Sequence, residues 1–415
     1  MPDAKATPAH VYAWTFFSGC LYASTSFVIL MLVTNCLDGY WGGVVAIALA
    51  LSQQMFTLGS FNMRRYQVSD ATNRFELPDY AGSRLITCLL MVAVGCLWTV
   101  CGDFSPDKRT AVFWLVVLKA SEAFSDVLEG YYQLQGRLDV SGRILAFKSF
   151  FSMVVFAAVL FCTRSLNGAL AGMALAHISF FFIADRPVLS RFGPCPLRPR
   201  FDRIFPLLGA CVPLAVDAFL RMYINNGPKF AIDRLMDESS TAAYSSLFMV
   251  SFVVAIFSDF LINPQIVPLS RAFHEGKHGV FFQALVRQLC AVLALGAAGI
   301  ACAWFLGAPI LSWVFGMDLM PYQKELCVLL AGGTFLALYH VAQLVLIVLR
   351  KQAWCLLSIT LATVFVIVSA SRFVSRWMLE GGAACYCAAM AVLFAATSLQ
   401  ALFFLRGAVR RPTAS

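Results

Sequence analysis

Apolar residues fall along this chain in runs near twenty, repeated from one end to the other and separated by short polar breaks. About twenty helical residues cross the roughly 30 Å hydrocarbon core of a bilayer. The pattern therefore predicts twelve spans, at about 11–34, 42–61, 84–101, 111–128, 144–162, 167–184, 204–224, 242–262, 281–306, 325–349, 353–374 and 384–404. Lipid offers no partner to a backbone amide, so each span is a helix; barrel strands would be about ten residues long with alternating polarity. The class is an all-α polytopic membrane protein. The first run is too long for a signal-peptide core and no small-residue cleavage site follows it, so it is expected to stay as a signal anchor.

Between the sixth and seventh spans lies DRPVLSRFGPCPLRPRFDR, residues 185–203, with four prolines, five arginines and no apolar run. It reads as a cytoplasmic linker between an N-terminal lobe, residues 1–184, and a C-terminal lobe, residues 204–415. Two halves of even span number are related by an axis along the membrane normal, an arrangement that leaves a central cleft between six-helix lobes. A weak echo supports it: FNMRRYQVSD ends the second span and LINPQIVPLSRAFHEGK the eighth, so each half carries a basic, helix-breaking loop at the same place.

Composition agrees, with 60% apolar and 13% charged residues against about a quarter charged in soluble domains. The net charge of +9 is explained by topology. With the N-terminus inside, 22 of the 31 Lys and Arg fall on the cytoplasmic side and 8 on the other, Arg221 lying within a span. Under the positive-inside rule both termini are cytoplasmic and the chain sits multi-pass in the cell membrane. No basic stripe interleaved with aromatics argues for nucleic acid. The 14 cysteines lack metal-type spacing and read as small buried residues. GxxxxGK[ST], HExxH, GxSxG and GxGxxG are all missing, so the sequence calls for no cofactor or metal, lacks ATP machinery and points to a transporter rather than an enzyme. Any transport is then passive or coupled to an ion gradient, H+ or Na+.

Chemistry gathers at the polar residues within apolar helices. An arginine near mid-membrane costs about 2.5–3.5 kcal/mol, so Arg221 must face water, a partner or an anion. Asp217 lies one turn before it, and two readings stand: the pair neutralises itself, or both line a hydrated cleft where the guanidinium fork binds phosphate. Asn225, Asn226 and Lys229 follow toward the outer face, where Gly227-Pro228 is read either as a break that exposes backbone to a cavity or as an ordinary loop turn. Asp259 sits near the cytoplasmic end of span eight. Gln53 and Gln54 fit interhelical hydrogen bonds better than ligands. Glu122, Asp126 and Glu129 recur near the C-terminus of span four, where the helix dipole disfavours anions. They are expected to pair with Arg64, Arg65, Arg84 or Arg143, as a static cluster or as a gate broken and remade during transport.

Three stretches, NMRRYQVSDATNRFELPDYAGSRLITC at 62–88, KASEAFSDVLEGYYQLQGRLDVSGR at 119–143 and YINNGPKFAIDRL at 223–235, make the chain resemble the Wzx-like polysaccharide flippases, the polysaccharide transporter branch of the MOP superfamily. The resemblance implies a MATE-like fold and a cargo of oligosaccharide joined through pyrophosphate to a polyprenyl lipid, flipped for surface polysaccharide synthesis such as O-antigen, capsule or exopolysaccharide. It places Arg64, Tyr66, Gln67 and Asp70 in an inner loop motif and Lys229 and Asp233 in an outer one, with an extra Asn226-Gly227 before the Pro-Lys. Membrane lipids and glycan-assembly proteins are the further partners it implies. Under this reading Arg221, Asp217, Asn225, Lys229, Arg64, Arg65 and Arg84 meet cargo, while Asp70, Glu122, Asp126 and Asp259 gate or couple. A MATE-type ion-coupled small-molecule antiporter is the alternative from the same architecture. A glycan polymerase or ligase would need a larger outer platform, and a lipid II flippase typically has fourteen spans.

Overall fold

The computed structural model describes residues 8–70, 74–102, 104–192, 200–262 and 265–410. They form fifteen α-helices with no strand among the described residues: α1 Pro8–Cys36, α2 Gly39–Ser60, α3 Met63–Ser69, α4 Leu77–Cys101, α5 Pro106–Leu134, α6 Leu138–Thr163, α7 Leu166–Phe180, α8 Arg186–Leu189, α9 Phe201–Leu235, α10 Glu238–Ile262, α11 Ile266–His274, α12 His278–Cys302, α13 Ala308–Phe315, α14 Gln323–Val348 and α15 Cys355–Arg410. The expected spans fall on helical residues, except that the last residues of two of them, Phe61 and Leu349, lie in turns. Nine stretches of the described chain are long and apolar enough to cross a membrane.

The sequence marks many of the boundaries. Asp38 accepts from the Trp41 amide to cap α2, and Ser105 and Ser165 cap α5 and α7 in the same way, satisfying amides that a helix start leaves open. Glu76 and Asp79 form a reciprocal capping box on α4. Phe61 and Asn62 turn left-handed between α2 and α3, and Gly136, at φ 69°, turns the chain between α5 and α6. In α15 only Trp377 and Met378 leave helical geometry, with φ −128° and 50°, where the last two spans were expected to part.

Two expectations change. The basic loops after the second and eighth spans contain short helices, α3 and α11; Met, Arg and Gln favour the first, and Pro268 lies in the first turn of the second, where its missing amide breaks no helical bond. The break at Gly227-Pro228 is absent: α9 runs unbroken through both residues. Gly227 is there for packing, since a Cβ on it would lie 2.4 Å from Val366 Cγ1.

The chain divides into two compact units, Met1–Met222 and Tyr223–Ser415, the division falling within α9. In the first, α2 packs on α4 and α5, α1 on α6, and α7 on α5 and α6. In the second, α14 packs on α10, α12 and α15. The central helices are α2 and α14: in each, 72% of the most apolar window is buried, against 17% for the segment containing α12. Contact there is close enough to require glycine. A Cβ on Gly333 would sit 2.1 Å from the Ser251 carbonyl oxygen of α10.

Candidate functional site

Within the first unit, α1, α5, α6 and α7 enclose a cavity of about 230 Å³ lined by Tyr22, Glu122, Ser125, Lys148, His177 and Asp185, among others. Its polar groups are bound to one another. Lys119 Nζ donates to Glu122 Oε2 at 2.6 Å, and the Tyr22 hydroxyl donates to the same oxygen at 2.7 Å. Lys148 Nζ donates to Asp185 Oδ2 and to Ser125 Oγ, both at 2.6 Å, with the ion pair all but sealed from solvent. His177 Nδ1 and Ser121 Oγ are 2.8 Å apart.

A second group adjoins this cavity, with Arg64, Asp126 and Glu129 in its lining. Arg84 is fully buried; it donates to the Gly59 carbonyl at 2.8 Å and to Asp126 Oδ2 at 2.9 Å. Arg64 reaches Glu129 at 2.7 Å, Gln133 at 3.3 Å and Asp126 at 3.4 Å. Four cations, Arg64, Arg84, Lys119 and Lys148, thus meet four carboxylates, Glu122, Asp126, Glu129 and Asp185, and every one is paired. Balance of this kind is what a low-dielectric interior demands, because an unpaired buried charge costs several kcal/mol. Arg64 and Asp126 also line a larger, open pocket of about 610 Å³ together with Asn62, Arg65 and Gln133. Their ion pair stands where the two spaces meet.

Beyond the pocket, Arg200 grips the buried Asp79 with both arms of its fork, Nε to Oδ1 and Nη2 to Oδ2 at 2.7 Å, tying the start of α9 to the start of α4. These hydrogen bonds to Asp79 hold the Arg200 guanidinium above its ordinary range.

The expected pairing of the span-four carboxylates with Arg64 and Arg84 is present, whereas Glu122 takes Lys119 of its own helix and Arg143 faces Asp139. Arg65 is exposed at the open pocket, and Asp70 accepts from the Arg74 amide at 2.8 Å. Gln53 and Gln54 make the interhelical bonds expected of them, to Ser26 Oγ at 3.2 Å and to the Phe219 carbonyl at 3.0 Å. Arg221 is paired with Asp217, with the arginine side chain 29% exposed. Lys229, expected in an outer loop, lies instead in α9, nearly buried, with Nζ 4.2 Å from the Phe248 ring centre. Asn226 is buried beside it in sequence and Asn225 half-buried on the same helix. Their helix continues about eleven residues past the expected end of span seven, which moves them out of the loop. Asp259 lies on α10, and its side chain falls outside the described residues.

Lys148, Asp185 and His177 were not singled out in the sequence. Lys148 falls there within the expected fifth span and Asp185 opens the linker. They belong to α6 and to a π-helical turn, Phe181–Asp185, that extends α7. A π turn shifts side chains round the axis and is often found at functional sites. Here Asp185 faces Lys148 while Phe182 and Ile183 are exposed.

No family model matches the chain, and no curated protein matches it. Its fold matches solved membrane transporters. An inward-facing multidrug resistance MATE family transporter of the MOP superfamily aligns with TM-score 0.76 and 11% identity over 95% of this chain and 96% of that one. A MOP superfamily transporter from Pyrococcus furiosus, described for the reverse polarity of its binding pocket, aligns at 0.58 and 13% over 97% and 96%. A Vibrio cholerae MATE transporter aligns at 0.60 and 12% over 98% and 97%. The chain is a polytopic, all-α membrane protein with the MATE-like fold.

Proposed function

We propose that this protein is a membrane transporter that turns an oligosaccharide carried on a polyprenyl pyrophosphate from the inner to the outer leaflet of the cell membrane, for assembly of a surface polysaccharide. Both termini are cytoplasmic, so the arginine-rich end faces the side on which such a cargo would be made. Two six-span lobes, 1–184 and 204–415, expose the cargo path alternately to each side. The observation that carries the reading is the open 610 Å³ pocket with Arg64 and Arg65 at its lining, backed by a network in which each charged side chain meets one of opposite sign. A pyrophosphate calls for fork-shaped donors in a partly hydrated place, while its polyprenyl tail stays in lipid. The three sequence stretches resembling polysaccharide flippases point the same way.

Arg64 and Arg65 meet the head of the cargo first; Arg84 supports them from behind by holding Asp126. Asp217 and Arg221, with Asn225 and Lys229 further along α9, follow on the path. Arrival of a cation, H+ or Na+, at the Glu122–Asp126–Glu129 carboxylates loosens Arg64 and lets cargo head groups compete for it; Asp70 and Asp259 belong to the same gating set.

Proteoliposomes holding a fluorescent polyprenyl-pyrophosphate oligosaccharide test this. Wild type moves the lipid between leaflets, and Arg64→Ala and Arg65→Ala slow it. Wild-type rates in those variants, and in both Arg221→Ala and Arg221→Lys, would overturn the assignment of the cationic path. The similarity in fold to multidrug transporters favours a second reading, an ion-coupled small-molecule antiporter. Gradient-driven efflux of cationic dyes, with no movement of the lipid-linked glycan, would decide for it.

A further inference from the structure

In the second unit, the last third of α9 packs against α10 and α15, and a lysine is buried between them. Lys229 is only 8% exposed, and its ammonium lies 4.2 Å from the centre of the Phe248 ring. No carboxylate meets it among the described residues. Asp233 stands one turn further along α9, at a spacing that suits an ion pair, yet the ammonium turns to the ring. A buried cation in a membrane is costly unless something replaces its hydration, and here the replacement is aromatic.

The ring itself is held firmly. Tyr244 stacks on Phe248 with centroids 6.0 Å apart and planes 22° from parallel, while Phe252 and Tyr386 meet it at steep angles, at 5.1 and 4.9 Å. The Tyr244 hydroxyl donates to the Gly382 carbonyl at 3.2 Å. A Cβ on Gly382 would lie 2.6 Å from Ile232 Cδ1 and 3.1 Å from Tyr244 Cε2, so the three helices close on the cluster without slack. Fixed rings, one of them with a desolvated face that carries a positive charge, are the parts from which sites for organic ammonium ions are built, because the ring quadrupole attracts a cation. The occupant here belongs to the chain itself.

We propose that Lys229 is a specificity-determining residue: its ammonium fills an aromatic cation site in the second unit and so bars organic ammonium ions from it. An arriving cation meets a filled site and a like charge at once, and both disappear with the side chain. The role does not rest on the proposed cargo, since it concerns what the second unit excludes and is tested with no cargo present.

Lys229→Ala removes three carbons and a nitrogen, the heavy atoms of n-propylammonium. The full-length wild type and this variant, purified in detergent, are titrated with n-propylammonium chloride and with uncharged n-propanol of the same length, binding being read by ligand-observed NMR and by the thermal midpoint. The variant should bind the ammonium ion about thirtyfold more tightly than the alcohol and be stabilised by it, whereas the wild type gains nothing from either. Adding Phe248→Leu, which keeps an apolar side chain and removes the quadrupole, should bring that ratio close to one. Where Lys229→Ala is recovered only as aggregate, purification with each compound present gives the same reading: monodisperse protein with propylammonium alone supports the site. Equal effects of the two compounds on Lys229→Ala, a preference for the ammonium ion that survives Phe248→Leu, equal propylammonium binding by wild type and variant, or loss of folded variant under every condition would overturn the proposal and leave Lys229 with a packing role alone.

Discussion

Lys148 shows how the chain handles charge inside a membrane. Only 1% of its side chain is exposed, and its three protons are spent on Asp185, Ser125 and little else that the structure describes. Removing one partner leaves the other buried and uncompensated, at about 3–5 kcal/mol, whereas removing both can be close to neutral. Lys148→Met and Asp185→Asn should therefore each lower the thermal midpoint in detergent sharply, and the double variant should recover most of the loss. Arg84 sets a different demand, because it bridges the Gly59 carbonyl and Asp126 with two arms. A lysine has a single ammonium group on a flexible stem, so Arg84→Lys should cost about 1–3 kcal/mol, one hydrogen bond to a charged group. The same thermal assay reads it. The Lys148 pairing was not legible in the sequence, whereas Arg84, the first residue of a span, was already among the partners expected for the span-four carboxylates. What makes each essential is a partner 37 or 42 residues away in sequence.

The helices themselves were far more legible. Runs of apolar residues, the Asp38, Ser105 and Ser165 caps and the Glu76–Asp79 box lie in consecutive residues, so sequence periodicity and local hydrogen bonding predict them together. The errors fall where a local signal competes with packing. Gly-Pro normally ends a helix, yet α9 passes through Gly227-Pro228 because the glycine lets Val366 approach and the surrounding protein holds the helix together. Close approach also governs α14 and α10. Gly333→Ala would put a methyl group 2.1 Å from the Ser251 carbonyl oxygen, and backbone cannot yield as a side chain can. Overpacking of this sort costs about 1–3 kcal/mol. Gly333→Ala should lower the melting temperature, while Gly209→Ala, with open space around it, should not.

Across the molecule, the basic residues that the sequence assigns to the two sides include buried ones: Arg84, Lys119 and Lys148 of the 22, and Lys108 and Lys229 of the 8. The charge network of the first unit has a consequence for access. Arg64 and Asp126 line both the wider pocket and the smaller cavity, so loosening Arg64 should wet the cavity further. In a variant freed of its native cysteines, a thiol at Ser125→Cys should react slowly with a water-soluble maleimide and faster once Arg64→Ala is added. Equal reactivity with and without Arg64 would show that this ion pair gates nothing.

Membrane insertion, helical class and the approximate place of each helix follow from composition read over about twenty residues, because lipid imposes one rule on every residue of a crossing segment alike. Which carboxylate meets which cation follows from no such rule. Glu122 chose a lysine three residues earlier, Asp126 two arginines from α3 and α4, and Asp185 a lysine on α6 that it reaches only through a π turn. Apart from Lys119–Glu122, which one helix holds by itself, those pairings depend on how far each helix is rotated about its axis and on which neighbours it meets, and both are settled by packing between segments that the sequence holds far apart.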